Sequence, residues 1–235
     1  MNDAALLELW ETAWPLPPLQ RARWLAQAAG AADGAGLGAC NAALLRLRSS
    51  FCGPTLPLLA SCPACATELE FEVDTRALPA TSAGAALHEL TLGDTWVRFR
   101  APTADDLGLL TPADTPGAAA RALFERCVVE AGIAGQPLPA AALSADVQQA
   151  VAQALDAADP LASLEFDLAC PACERPFAAP LDVAGVTYAE LRHRAEAVLA
   201  DVAALAQAYG WRESDVLALS PLRRAAYLQL AGAAG

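Results

Sequence analysis

Four of the seven cysteines in this chain fall into two copies of one tetrapeptide, Cys62-Pro63-Ala64-Cys65 and Cys170-Pro171-Ala172-Cys173. Two thiolates three positions apart on a tight turn converge on one spot, about 2.3 Å from a bound zinc ion. A structural zinc takes four ligands, so each knuckle supplies half of a set. Cys62, Cys65, Cys170 and Cys173 together predict one closed, four-thiolate Zn2+ site per chain, assembled across about a hundred intervening residues. Two redox Cys-x-x-Cys pairs, or turns without any ligand, are the competing readings. Knuckles of this kind often place Gly directly after the second Cys, where the backbone turns left-handed, but Ala66 and Glu174 stand there instead. A Cβ in that conformation costs on the order of 1 kcal/mol. Zinc binding in finger peptides is worth about 10 kcal/mol or more, so the site tolerates it.

The remaining candidates for chemistry are sparse. Cys40, Cys52 and Cys127 have no partner at ligand spacing, and Cys127 reads as a small buried hydrophobe on an apolar face. The two histidines, His88 and His193, stand far apart in the sequence. No G-x-S-x-G, H-E-x-x-H or Gly-rich phosphate loop occurs. The chain has no Lys, which removes Schiff-base chemistry and the P-loop lysine. No enzyme is expected, and no small-molecule substrate.

The knuckles need strands to hold them. Thr55 to Ser61 leads into the first, and Leu69, Phe71 and Val73 alternate with Glu68, Glu70 and Glu72 after it. Leu164 to Leu168 leads into the second, with Phe177, Leu181 and Val183 following in extended chain. Strand, knuckle and strand therefore repeat. Three helices are expected before the first unit: residues 3 to 14, a second opened by Pro18 and closed at Gly30, and residues 41 to 51 ended by Gly53-Pro54. Trp10, Trp14 and Trp24 on the first two read either as core or as an aromatic patch. Between the units come a hairpin turning at Gly93-Asp94, a short helix capped by Thr103 and Asp106, a helical stretch over 117 to 131, and a helix capped by Ser144. Thr187 with Glu190 reads as a capping box for a long helix through Tyr209, which Gly210 ends. Ser220-Pro221 opens a last helix.

The expected fold is α+β: a split four-cysteine zinc ribbon built from two distant knuckle hairpins, with N-terminal helices, a helix and hairpin insertion and a C-terminal helical arm. The boundaries are 1–54 for the helical segment, 55–75 and 163–186 for the ribbon halves, 76–162 for the insertion and 187–235 for the arm. The 235 residues are sufficient for a substantial core. With 27 acidic and 15 basic residues the formal charge is -12, which repels nucleic acid as a general partner. No apolar run reaches membrane-spanning length, and the mean hydropathy of +0.32 comes largely from scattered Ala. The acidic N-terminal stretch does not read as a signal peptide, so a cytoplasmic protein with reduced thiols is expected.

The string from Leu205 to Pro221, Leu-Ala-Gln-Ala-Tyr-Gly-Trp-Arg-Glu-Ser-Asp-Val-Leu-Ala-Leu-Ser-Pro, continues into Arg223-Arg224 and Tyr227-Leu228. It resembles the hallmark of T-even-type phage baseplate hub assembly chaperones and baseplate proteins of contractile injection systems. Leu6 to Glu11, Leu44 to Arg48, Phe51 to Pro54 and both knuckles match in order, so the resemblance spans nearly the whole chain, its middle by order and length. It implies a zinc-binding assembly factor or minor baseplate component, bacterial and cytoplasmic, partnered by hub or spike proteins and able to enter the particle. Trp211, Arg223, Arg224 and Tyr227 are the expected partner contacts, combining cation and aromatic on one turn. The rivals are an adaptor that loads cargo or spike in the same system and a thiol oxidoreductase.

Overall fold

Three helices open the chain in the computed structural model, which describes residues 1–79, 86–110 and 115–233. They are α1 (Asp3–Ala13), α2 (Pro18–Ala28) and α3 (Leu37–Cys52). Asn2 caps α1 by accepting the Ala5 N–H, and Pro18 presets the first turn of α2, where its missing donor costs nothing. The antiparallel hairpin β1 (Thr55–Ser61) and β2 (Glu68–Asp74) follows. Next come β3 (Leu87–Leu92), β4 (Thr95–Arg100), the helices α4 (Ala104–Gly108) and α5 (Pro116–Cys127), β5 (Val128–Ile133), β6 (Gln136–Pro137) and α6 (Ala145–Ala158). A second hairpin, β7 (Glu165–Ala169) and β8 (Pro176–Pro180), leads to α7 (Val183–Tyr209), α8 (Glu213–Leu217) and α9 (Pro221–Ala233).

Two separate cores result. In the first, Leu6 and Leu7 of α1, Leu25 of α2 and Leu44 and Leu45 of α3 close on Leu191, Ala195 and Val198 of α7. Each such leucine contributes roughly 1.5–3 kcal/mol by leaving water. Trp10 and Trp24 pack against this core, whereas Trp14 is 53% exposed, so the tryptophans divide between the two roles. In the second core, Val97 and Phe99 of β4 and Ala131 of β5 pack under Val147 and Val151 of α6. The sheet order there is β3-β4-β5-β6, all antiparallel.

The inserted unit is tied back to the start of α3 at two points, the β4–α4 connection and its C-terminal end. Leu37 N–H donates to Pro102 C=O at 2.9 Å, Gly38 N–H to Asp159 Oδ2 at 3.1 Å, and Asn41 Nδ2 to Leu161 C=O at 2.8 Å. Asp159 is 2% exposed and satisfies a helix-start N–H from a distance, with its charge on the favourable end of the dipole. Its approach requires glycine at 38, because a Cβ there would fall 1.7 Å from Asp159 Oδ1. On the far side Arg48, itself buried, grips Glu190 of α7 through Nε and Nη2 at 2.6 and 3.0 Å. That bidentate pair fastens α3 to α7.

Several expected boundaries move. The third helix begins at Leu37 instead of 41, with Gly36 rather than a side chain at its cap. The helix expected over 117–131 stops at Cys127, and Val128–Ile133 is a strand against β4. The long helix starts at Val183, capped by Asp182, so the expected 186/187 boundary lies inside its second turn. Thr187 is buried in that helix and Glu190 is bound to Arg48, which corrects the expected capping box. Among the described residues no helix is long and apolar enough to cross a membrane.

Candidate metal centre

Each knuckle sits at the tip of its hairpin and folds by the same bonds. Cys62 N–H donates to Thr67 C=O and Ala66 N–H to Cys62 C=O, at 2.9 and 2.8 Å. Cys170 N–H donates to Arg175 C=O and Glu174 N–H to Cys170 C=O, at 3.1 and 2.8 Å. The residue after each second cysteine is left-handed, Ala66 at φ 59° and Glu174 at φ 60°. These are the positions where the sequence lacks glycine, so both turns carry the anticipated strain.

The inner faces of the hairpins meet, with Phe71 of β2 edge-on to Phe166 of β7 at 5.6 Å between ring centres. This contact aligns the tips. Cys62 Sγ then lies 3.7 Å from Cys173 Sγ, and Cys65 Sγ 3.5 Å from Cys170 Sγ, the first cysteine of one knuckle against the second of the other. All four sulfurs lie within 4.8 Å of one another, a group able to hold a metal ion. A regular tetrahedron with 2.3 Å metal–sulfur bonds places its sulfurs about 3.8 Å apart. The donor set fits in number, softness and size.

The protons on these thiols are unequally held. Cys65 is brought down to about 6, first by the Thr67 hydroxyl, 3.3 Å away, and then by the Thr67 backbone. Cys170 is lowered chiefly by the Cys173 backbone N–H. Cys173 is pushed up to about 12: the Arg175 backbone favours its thiolate, but desolvation and the sulfurs of Cys65, Cys170 and Cys62 outweigh it. Four negative sulfurs at this spacing repel one another, and a bound divalent cation removes the conflict. Thr67 was not singled out from sequence; its place two residues after the second cysteine is the only signal it gives.

The other cysteines stay apart from the cluster. Cys127 is buried in the insertion, where desolvation lifts its thiol to about 11, an unreactive hydrophobe as expected. Burial likewise raises Cys40, with the Asp159 charge second, and Cys52. His88 stacks on Phe99 and His193 is exposed on α7. Neither reaches a cysteine of the centre.

The expected partner contacts divide. Trp211 stacks on Tyr209 at 4.9 Å and meets Tyr227 edge-on at 4.8 Å, so the aromatics form a cluster where α9 folds back along α7. Arg223 is exposed. Arg224 is 3% exposed and turned onto Asp3 of α1 and Asp201 of α7, so it holds the arm to the body and is not displayed beside Arg223. Comparison with protein-family models, curated proteins and solved structures gives no match.

Proposed function

We propose that Cys62, Cys65, Cys170 and Cys173 hold one structural zinc ion, that the two hairpins form a zinc ribbon around it, and that the chain is a non-enzymatic assembly factor or minor hub component of a phage-tail-like contractile injection system. The observation that carries the metal reading is the convergence of four thiols from two distant knuckles within 4.8 Å. Four protein ligands fill a tetrahedral ion and leave no position for a reacting water, which favours a structural over a catalytic role. Zinc would supply folding energy and cross-link the hairpins; the chain's own contribution is the paired turns and the Phe71–Phe166 contact that bring the sulfurs together.

The placement in a contractile system rests on the resemblance of the Leu205–Leu228 string and the order of the other matched segments. Its proposed partners are hub or spike proteins, met in the bacterial cytoplasm where particles are built. Both knuckles lie between antiparallel strands, not at a helix N-terminus, which weakens the oxidoreductase reading.

Metal analysis of chain purified without chelator tests the centre. The expected ratio is one zinc per chain, lost in Cys65→Ser with Cys170→Ser. A ratio near zero, or near two, overturns the shared site. Affinity capture of the chain from cells assembling particles, read by mass spectrometry beside purified particles, is expected to recover hub or spike proteins. Recovery of neither overturns the baseplate reading and leaves the metal result standing.

A further inference from the structure

The first hairpin has an open side. Among the described residues β2 is hydrogen-bonded to β1 and to no other strand. The phase of its ladder is fixed at both ends: Cys62 N–H bonds Thr67 C=O at the tip, and Thr75 N–H bonds Pro54 C=O at the base. With Ser61 opposite Glu68, Leu59 opposite Glu70, Pro57 opposite Glu72 and Thr55 opposite Asp74, those four pairs are the ones that exchange no bonds across the hairpin. The backbone N–H and C=O groups of Glu68, Glu70 and Glu72 therefore point outward, away from β1. Pro57, which has no N–H to give, stands at such a position on β1, as the phase requires.

The side chains obey the same alternation. Glu68, Glu70 and Glu72 are exposed, while Leu69, Phe71 and Val73 between them are partly buried on the inner face. The free edges of this hairpin pair differ. On β8 the outward positions are Pro176, Ala178 and Pro180, two of which cannot donate, β1 is interrupted by Pro57, and β7 presents Glu165, Asp167 and Ala169, all able to donate but with only two carboxylates. Strand β2 has no proline and presents outward donor–acceptor positions at Glu68, Glu70 and Glu72, each bearing a carboxylate, before Asp74, whose carboxylate is bound to Arg76.

We infer that the β2 edge is a strand-addition site for an extended segment of a partner protein in which Lys or Arg alternates with apolar residues. Backbone bonds to Glu68, Glu70 and Glu72 would supply register. The partner's cations would face the three carboxylates across the new ladder, and its apolar residues would continue the inner face of Leu69, Phe71 and Val73. A second copy of this chain is the wrong occupant, because β2 against β2 sets carboxylate against carboxylate, on a chain of formal charge -12. The inference rests on the edge and its charges and is independent of the baseplate reading.

The probe is a labelled seven-residue synthetic peptide in which arginine alternates with valine, added to the full-length chain and followed by fluorescence anisotropy and amide hydrogen exchange. Binding is expected, with new protection at the amides of Glu68, Glu70 and Glu72 and little change at Leu69, Phe71 and Val73, whose amides already lie within the hairpin. A peptide of the same composition with its arginines contiguous should bind at least tenfold more weakly. Glu70→Pro removes an outward donor without touching the internal ladder, and should weaken binding tenfold or more; Glu70→Gln, which keeps the donor, should weaken it less. Equal binding of the two peptides, protection spread evenly along the strand, or binding indifferent to Glu70→Pro overturns the inference. So does self-association of the chain through residues 68–72, which would make a second copy the occupant.

Discussion

Adjacent arginines on α9 should respond to alanine in opposite ways. The Arg224 side chain is 3% exposed and bound to Asp3, which is 15% exposed, with Asp201 at 3.5 Å from its Nε. Removing one member of such a buried pair leaves the other charge desolvated, at roughly 3–5 kcal/mol. Two features place this case at the lower end: Arg224 Nη1 already lacks a partner, and Asp3 keeps Arg194 at 3.7 Å. Arg224→Ala is therefore expected to cost about 3 kcal/mol, a fall in melting temperature of roughly 6–12 °C for a chain of this length. Arg223 is exposed, and its backbone N–H rests on Ser220 Oγ at 3.4 Å. Arg223→Ala should change stability by no more than about 0.5 kcal/mol. Thermal unfolding of the two single variants, at equal metal content, is the assay. An Arg224→Ala melting point within about a degree of the parent, or an Arg223→Ala loss of similar size, refutes the placement of these side chains. The contrast also decides how partner binding is read: loss of capture in Arg224→Ala reports a detached arm, and only Arg223→Ala, with the arm intact, reports a lost contact.

Two other substitutions probe the joints that hold the insertion. Gly38→Ala should destabilise the chain by about 3 kcal/mol, since its Cβ would meet the buried Asp159 carboxylate and break the bond to the α3 start; combined with Asp159→Ala the cost should be clearly less than additive in denaturant titrations. Asp106 accepts both Arg100 Nη groups, at 2.6 and 2.9 Å, and the Thr103 N–H and hydroxyl, and Arg100 above all holds its carboxyl down at about 2. A carboxylate lowered from 3.8 contributes stability that is fully present above about pH 4 and is lost as the pH falls through about 2. The stability difference between the parent and Asp106→Asn should thus be about 2 kcal/mol above pH 5 and shrink steadily below pH 4; a constant difference refutes the assignment.

What the sequence discloses and what it hides differ in range. The knuckles were legible because ligand spacing is local, and the left-handed turns followed from the same four residues. Thr103 with Asp106, Ser144 and Gly210 were legible as caps for the same reason, and all three cap or end helices. The start of α7 was not. Thr187 and Glu190 carry the spacing of a capping box, but Asp182 caps the helix earlier and Glu190 is committed to Arg48, a partner 142 residues away. The α5–β5 junction was hidden because Leu123, Phe124, Cys127, Val128 and Ala131 keep a helical spacing straight across it. Pairing with β4 decides the change, a contact no window of sequence contains. Arg224 was misplaced for a similar reason: its neighbours in sequence say nothing of Asp3, 221 positions earlier.

These long-range bonds bear on how a split metal site becomes possible. Linking Cys65 to Cys170 closes a loop of about a hundred residues, which in a free chain is worth about 4.7 kcal/mol of entropy. Here the loop does not close on the metal alone. The insertion has its own core, and its β4–α4 connection at Pro102 and its C-terminal end near Asp159 are both fixed to the start of α3. The first hairpin leaves α3 at Gly53 and the second enters α7 at Asp182, while Arg48 and Glu190 clamp those two helices together. Both hairpin bases are therefore held by a scaffold in which none of the four cysteines takes part, and the cluster sits at the far tips, where small rotations of each hairpin are largest. An ion bound there would supply its folding energy to the pose of the two hairpins more than to the helical core. Under the proposed zinc ribbon, that division would let a bound metal set the angle at which the open β2 edge is presented while the helices carry the stability.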